Sequence, residues 1–172
     1  MATSSACADN IVLIGFMGAG KSSVGRELAR RTGRFFLDAD ALIETAQGEA
    51  IHAIFDERGE EYFRELERES ARWMAECVRG SIISTGGGMP TVVERLRDIG
   101  TVVYLQLPFE KILRRISADE RSKRPLFHNA AETKRLYAER QSIYEKQAHI
   151  TIDADRPVEA IVEEIIQKLS AS

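Results

Sequence analysis

Cysteine is scarce in this chain: Cys7 and Cys77 are the only two in 172 residues. Their spacing suits no metal and no secretory segment accompanies them, so a reduced, cytoplasmic protein is expected. The opening residues Met1 to Ala6 lack the basic and apolar stretches of a signal peptide, and residues 1–9 read as a loose tail. No apolar run approaches the roughly 20 residues that span a bilayer, so no membrane partner is expected. Positive charge is not in excess either. Lys and Arg number 24 against 27 Asp and Glu, and a net charge of −3 argues against nucleic acid as a partner. The three histidines, His52, His128 and His149, are widely spaced in no metal or triad pattern and read as surface or structural residues. Internal repeats, low-complexity tracts and linkers are missing, so residues 1–172 read as one domain, long enough to bury a core. No long exposed apolar stripe demands a dimer, and a monomer is expected.

What is present is more pointed. Gly15 to Ser22 reads Gly-Phe-Met-Gly-Ala-Gly-Lys-Ser, a complete G-x-x-x-x-G-K-[ST] phosphate-binding pattern. The run 10–14 before it reads as a short buried strand, and 22–31 after it, with apolar Val24, Leu28 and Ala29, as a helix. Gly15, Gly18 and Gly20 let the backbone wrap around a polyphosphate with its N–H groups inward. The helix beginning near Lys21 adds its positive dipole end. Lys21 can reach the β- and γ-phosphates, and the Ser22 hydroxyl is placed to ligate Mg²⁺. The strand–loop–helix context favours this over a glycine-rich turn with an incidental lysine, and the chain is expected to bind a nucleoside triphosphate.

Short apolar runs at 11–14, 35–37, 81–84, 102–105 and 150–152 read as strands. Amphipathic patterns at 22–31, 60–78, 91–97, 110–116, 132–146 and 158–169 read as helices between and after them. That alternation predicts an α/β fold, a five-stranded parallel sheet with helices on both faces in three layers. Binding residues should then gather beyond the carboxyl ends of the strands. Trp73 and Phe63 fit an apolar stripe on their helix and read as core.

Residues following the strands carry the chemistry. After the first comes the phosphate loop. After the second, Asp38 and Asp40 could divide metal and substrate between them, although Asp40 alone would also serve as a helix N-cap for Ala41-Leu42-Ile43. After the third, Gly86, Gly87 and Gly88 bring backbone N–H groups close to a bound anion or substrate, or else form a flexible turn. Arg64, with acids at i−4 and i+3, and Arg140, in a second charged helix, each read alone as surface ion-pair residues. Arg114, Arg115, Arg121, Lys123 and Arg124 outnumber Asp119 and Glu120 in a stretch of weak periodicity. A basic mobile loop over about 116–131 suggests a lid that closes on the transferred phosphoryl group.

Together these residues resemble the shikimate kinase family, small P-loop enzymes that move the γ-phosphoryl of ATP to the 3-hydroxyl of shikimate. The phosphate loop is the least specific part of the likeness. Its specific parts are Asp38-x-Asp40, Phe63-Arg64-x-x-Glu67, Gly86-Gly87-Gly88, Arg124-Pro125-Leu126 and Arg140, and it runs from Ile11 to about Leu169. The resemblance implies a P-loop, nucleoside-monophosphate-kinase-like fold with a mobile lid, and ATP and shikimate as its small-molecule partners. It implies that Lys21, Asp40 and Arg124 are catalytic, and that Gly18, Ala19, Gly20, Lys21, Ser22, Ser23, Arg115, Arg124 and Arg156 bind ATP. It places Asp40, Phe55, Phe63, Arg64, Gly86, Gly87, Gly88 and Arg140 at the substrate, with Glu67 orienting Arg64. One Mg²⁺ ion would be held directly by Ser22 and through water by Asp38 and Ser84. Ser23 stands where threonine is common in the family, and 116–123 is long and charged for the lid. Phe63, read as core from its stripe, becomes by this likeness a pocket residue as well.

Two other readings compete. A gluconate-type sugar-acid kinase would share the phosphate loop and a carboxylate clamp, but has no reason to carry the triple glycine with Phe63-Arg64-x-x-Glu67. A regulatory GTPase would use Asp56-Glu57-Arg58-Gly59 as D-x-x-G. Those residues follow the helix-like run 51–55 rather than a strand, and no Asn-Lys-x-Asp guanine-reading motif occurs.

Overall fold

The computed structural model describes residues 9–116 and 129–171. Most of the lid predicted over about 116–131, including Arg121, Lys123 and Arg124, lies outside the described residues, as do Cys7 and His128.

Five parallel strands form one sheet in the order β2-β3-β1-β4-β5: β1 Asn10–Ile14, β2 Phe36–Asp38, β3 Ile82–Ser84, β4 Gly100–Gln106 and β5 Ile150–Asp153. β1 is apolar and buried throughout because it lies at the centre, covered on both faces. Its one polar residue, Asn10, is fully bonded. Its Nδ2 donates to the carbonyls of Val78 (2.8 Å) and Ile99 (2.9 Å), and its Oδ1 accepts from Ser81 N–H (3.0 Å). Sequence order reverses on either side of β1, so the loop leaving its carboxyl end opens into the crevice of the sheet.

Helices α1 (Lys21–Thr32), α2 (Ala39–Gln47), α3 (Ile51–Cys77), α4 (Met89–Val92), α5 (Phe109–Arg115), α6 (Ala130–Gln147) and α7 (Val158–Ser170) connect and flank the strands. α1 packs with α7, whereas α4 packs with both α3 and α6. Three details differ from the sequence reading. The expected helix over 91–97 is two short pieces, α4 and a 3₁₀ turn at Leu96–Asp98. α2 was not predicted as an element, and its N-cap is Asp38 rather than Asp40: Asp38 Oδ1 accepts from Asp40 N–H (3.0 Å) and Ala41 N–H (3.2 Å). α3 begins nine residues before the predicted start at 60, and Gly59, at φ 81°, breaks it. A positive φ there suits glycine, and the kink lets Ile51, Ile54 and Phe55 fold against Ile43, Phe63 and Leu66 as a small separate core. Phe63 is in that core as expected. Trp73 is not: it is 47% exposed, because Met74 takes the inward position on this turn of α3.

His149 extends the β4–β5 ladder with its side chain. Its N–H donates to Val102 O (2.8 Å), and its Nδ1 accepts from Val102 N–H (3.0 Å), a bond that only the neutral ring can make. Burial, with the charge of Arg97, holds its pKa below the ordinary 6.5. The unfolded chain therefore takes up this proton first, and the stabilisation, complete above about pH 6.5, is lost as pH falls through the lowered value. Melting curves between about pH 5 and 7.5 are expected to fall more steeply with acid in the parent than in His149→Asn. Parallel curves would remove His149 from the acid response.

Candidate active site

Gly15 leaves β1 at φ 151°, and a Cβ there would lie 2.8 Å from Leu105 O, so only glycine lets the loop pass β4. Gly20, at φ 92°, caps α1 without a side chain, leaving the first-turn N–H groups of the helix to face an anion. Lys21 is buried, and its Nζ donates to the carbonyls of Gly15 (2.8 Å) and Phe16 (3.1 Å), which hold the ammonium over the loop. Ala19 is buried and donates from its N–H to Phe16 O (3.1 Å), while Ser23 is exposed on α1.

Next to the loop, Ser22 Oγ donates to Asp38 Oδ2 at 3.4 Å. The two oxygens of Asp38 thus have separate tasks, Oδ1 capping α2 and Oδ2 facing Ser22. Ser84, buried at the end of β3, is the register partner of both Asp38 and Leu13, so the ends of β2 and β3 bring a carboxylate and a hydroxyl to the edge where Ser22 stands in the first turn of α1.

The triple glycine follows Ser84, and each of its members abuts a different charged residue. A Cβ at Gly86 would lie 2.6 Å from Asp40 Oδ1. One at Gly88 would collide with the Arg64 guanidinium. At Gly87 a Cβ would lie 3.5 Å from Arg140 Nη1 and, in the phosphate loop, 3.5 Å from Met17 N and 3.6 Å from Gly15 O. Asp40, Arg64 and Arg140 come from α2, α3 and α6, yet all converge on three consecutive residues beside the phosphate loop.

The two arginines are not the surface ion-pair residues that their own helices suggest. Arg64 is 12% exposed and donates from Nη1 to Glu67 Oε2 (2.7 Å) and from Nη2 to Glu60 Oε1 (2.8 Å). Burial works against its charge, but the bonds to Glu67 and Glu60 outweigh it and hold the pKa above the ordinary range. Glu67 is fully buried, and burial pushes its carboxyl up despite Arg64, with the Asp40 charge adding to the rise. Arg140 is buried over the Phe16 ring, 5.8 Å from its centroid, and its Nε has no hydrogen-bond partner among the described residues. Phe55 and Phe63 meet as tilted rings, their centroids 4.8 Å apart, and flank Arg64 at 6.0 and 5.7 Å.

Arg115 Nη2 donates to Ala154 O (2.7 Å), tying α5 to the turn after β5, and its guanidinium lies near Gly20. Arg156 pairs with Glu164 of α7 and donates to Asp153 O (3.2 Å), which ties its guanidinium to that turn. Phe16 and Tyr144 were passed over in the sequence. Phe16 occupies a variable position of the loop pattern, and Tyr144 looks like one apolar residue in a charged helix, so neither carries a signal without its contacts.

A family model described as shikimate kinase matches residues 17–170. The chain belongs to the shikimate kinase family. A shikimate kinase of Helicobacter hepaticus is 43% identical over 159 residues, covering 92% of this chain and 95% of the relative. A solved shikimate kinase from Acinetobacter baumannii, in complex with shikimate, aligns with a TM-score of 0.83 at 33% identity over 95% of this chain and 94% of that one. The crystal structure of the family member from Aquifex aeolicus gives 0.82 at 38% identity, covering 94% and 96% of the two chains. The family uses ATP, and with it the P-loop fold and the kinase activity expected from the sequence are upheld.

Proposed function

We propose that this protein transfers the γ-phosphoryl of ATP to the 3-hydroxyl of shikimate, giving shikimate 3-phosphate and ADP within aromatic amino acid biosynthesis. The observation that carries the acceptor site is the triple glycine, against which one carboxylate and two guanidinium groups stand beside the phosphate loop. Arg64 and Arg140 would take the substrate carboxylate, since guanidinium groups match it bidentately. Asp40 would accept from the ring hydroxyls and orient the one that attacks, and Gly87 would offer its main chain to the ring. Lys21, with the N–H groups of Gly18 and Gly20 and the first turn of α1, would hold the phosphates and meet the charge that develops on transfer, while Ala19, its N–H given to Phe16 O, would shape the loop around them. Arg115 and Arg156 would border the adenine, and Arg124, outside the described residues, would meet the γ-phosphoryl.

The Ser22 hydroxyl and Asp38 carboxylate, with Ser84 beside them, are hard oxygen donors that fit Mg²⁺. With so few protein donors the ion would keep several waters and take phosphate oxygens. Bound there with ATP, Mg²⁺ would neutralise phosphate charge. No described helix is long and apolar enough to cross a membrane, and we place the protein in the cytoplasm as a single-domain monomer without a nucleic-acid partner.

A coupled ADP-release assay tests the reading. With Mg²⁺ and ATP, release is expected to depend on shikimate and to stay at background with gluconate. Equal stimulation by gluconate would favour the sugar-acid kinase instead.

A further inference from the structure

Tyr144 stands on α6 one turn beyond Arg140, fully buried against Tyr104. Its hydroxyl donates to Gly87 O at 2.6 Å, and the Arg140 guanidinium acts on the same hydroxyl through charge and a hydrogen bond. Burial pushes its pKa up to about 12, so at neutral pH it remains a donor. Tyr137, Arg140 and Tyr144, spaced i, i+3 and i+7, share one helical face. Tyr137 meets the Phe16 ring edge-on at 5.4 Å and donates to Leu107 O (2.9 Å), and Arg140 lies over Phe16. One face of α6 is thus anchored to the phosphate loop, to the end of β4 and to the triple glycine.

We propose that Tyr144 is a positioning residue for the acceptor: its hydroxyl ties the Gly87 carbonyl to the Arg140 guanidinium and keeps the two in one fixed relation. The inference rests on the reading of Gly87 and Arg140 as substrate contacts. An ordinary buried tyrosine bond would serve stability alone. This one ends on Gly87, where an added Cβ would lie 3.5 Å from both Arg140 Nη1 and Met17 N, so the bonded carbonyl belongs to the residue at which Arg140 and the phosphate loop come together. Arg140 cannot hold its own place by saturating its donors, because its Nε has no partner among the described residues. The hydroxyl of Tyr144 supplies a constraint that Arg140 lacks.

The test is steady-state kinetics on Tyr144→Phe, which removes one oxygen and keeps the ring. Its KM for shikimate is expected to rise about five- to tenfold, the worth of one neutral hydrogen bond, with KM for ATP unchanged. Tyr104→Phe, which alters the neighbouring buried ring without touching Gly87, is expected to leave both constants alone. A lower melting temperature with unchanged KM for shikimate, or equal rises in both KM values, would overturn the positioning role. Arg140→Ala measured alongside separates the two readings. If it weakens shikimate while Tyr144→Phe does not, the Tyr144 inference fails alone; if Arg140→Ala leaves shikimate unaffected, the assignment of the acceptor site fails first.

Discussion

Lys21→Ala is expected to lower kcat for shikimate-dependent ADP release by at least about 10²–10³-fold, the loss usual for a positioned electrostatic group at a charged transition state. Lys21 is the buried cation of the loop, and its Nζ donates to the carbonyls of Gly15 and Phe16. Truncation also removes the two bonds that draw the loop together, and some loss of stability should accompany it. The two effects separate by measurement: a melting temperature reports the loop, and single-turnover transfer at saturating ATP reports the chemistry. A variant that folds and keeps kcat within about tenfold of the parent would take Lys21 out of phosphoryl transfer.

The second large effect concerns the acceptor. Arg140→Ala and Arg64→Ala are each expected to weaken shikimate binding by about 2–5 kcal/mol while leaving ATP affinity close to the parent, because each strips a bonded partner from a desolvated carboxylate. They should differ in stability. Arg140 is held by a ring contact and by Tyr144, and when it is removed the buried Glu67 keeps its Arg64 partner. Arg64 is the partner of Glu67, which is 1% exposed, so Arg64→Ala strands a buried carboxyl at a cost of about 1–3 kcal/mol. Adding Glu67→Gln to Arg64→Ala should recover much of the lost stability and none of the lost affinity. Calorimetry showing equal losses for shikimate and ATP in Arg140→Ala would point to a collapsed site and not a missing contact.

Much of this was readable from local pattern. The phosphate loop declares itself because its conformation is imposed by consecutive residues: glycines at the turns, a helix start behind them and a lysine in fixed register. The parallel sheet was likewise legible from the alternation of apolar runs with amphipathic ones. Element boundaries were less so: α2 entered the sequence reading only as a possible helix start capped by Asp40, whereas its cap is Asp38, the earlier acid of the pair.

The substrate side was legible only through family likeness. Arg64 and Arg140 sit in helices crowded with acids, and nothing local distinguishes a buried guanidinium from a solvated one. Phe63 and Trp73 look alike on a helical stripe, but the kink at Gly59 and the inward turn of Met74 bury the first and expose the second. By itself the sequence determined what is local: the anion loop, the strand ends on which chemistry gathers and the helix faces. Only tertiary structure decided that Gly86, Gly87 and Gly88 meet Asp40, Arg140 and Arg64. Those contacts join elements far apart in the chain, and which partner fills the space a missing Cβ leaves depends on how α2, α3 and α6 pack, not on any spacing within one of them.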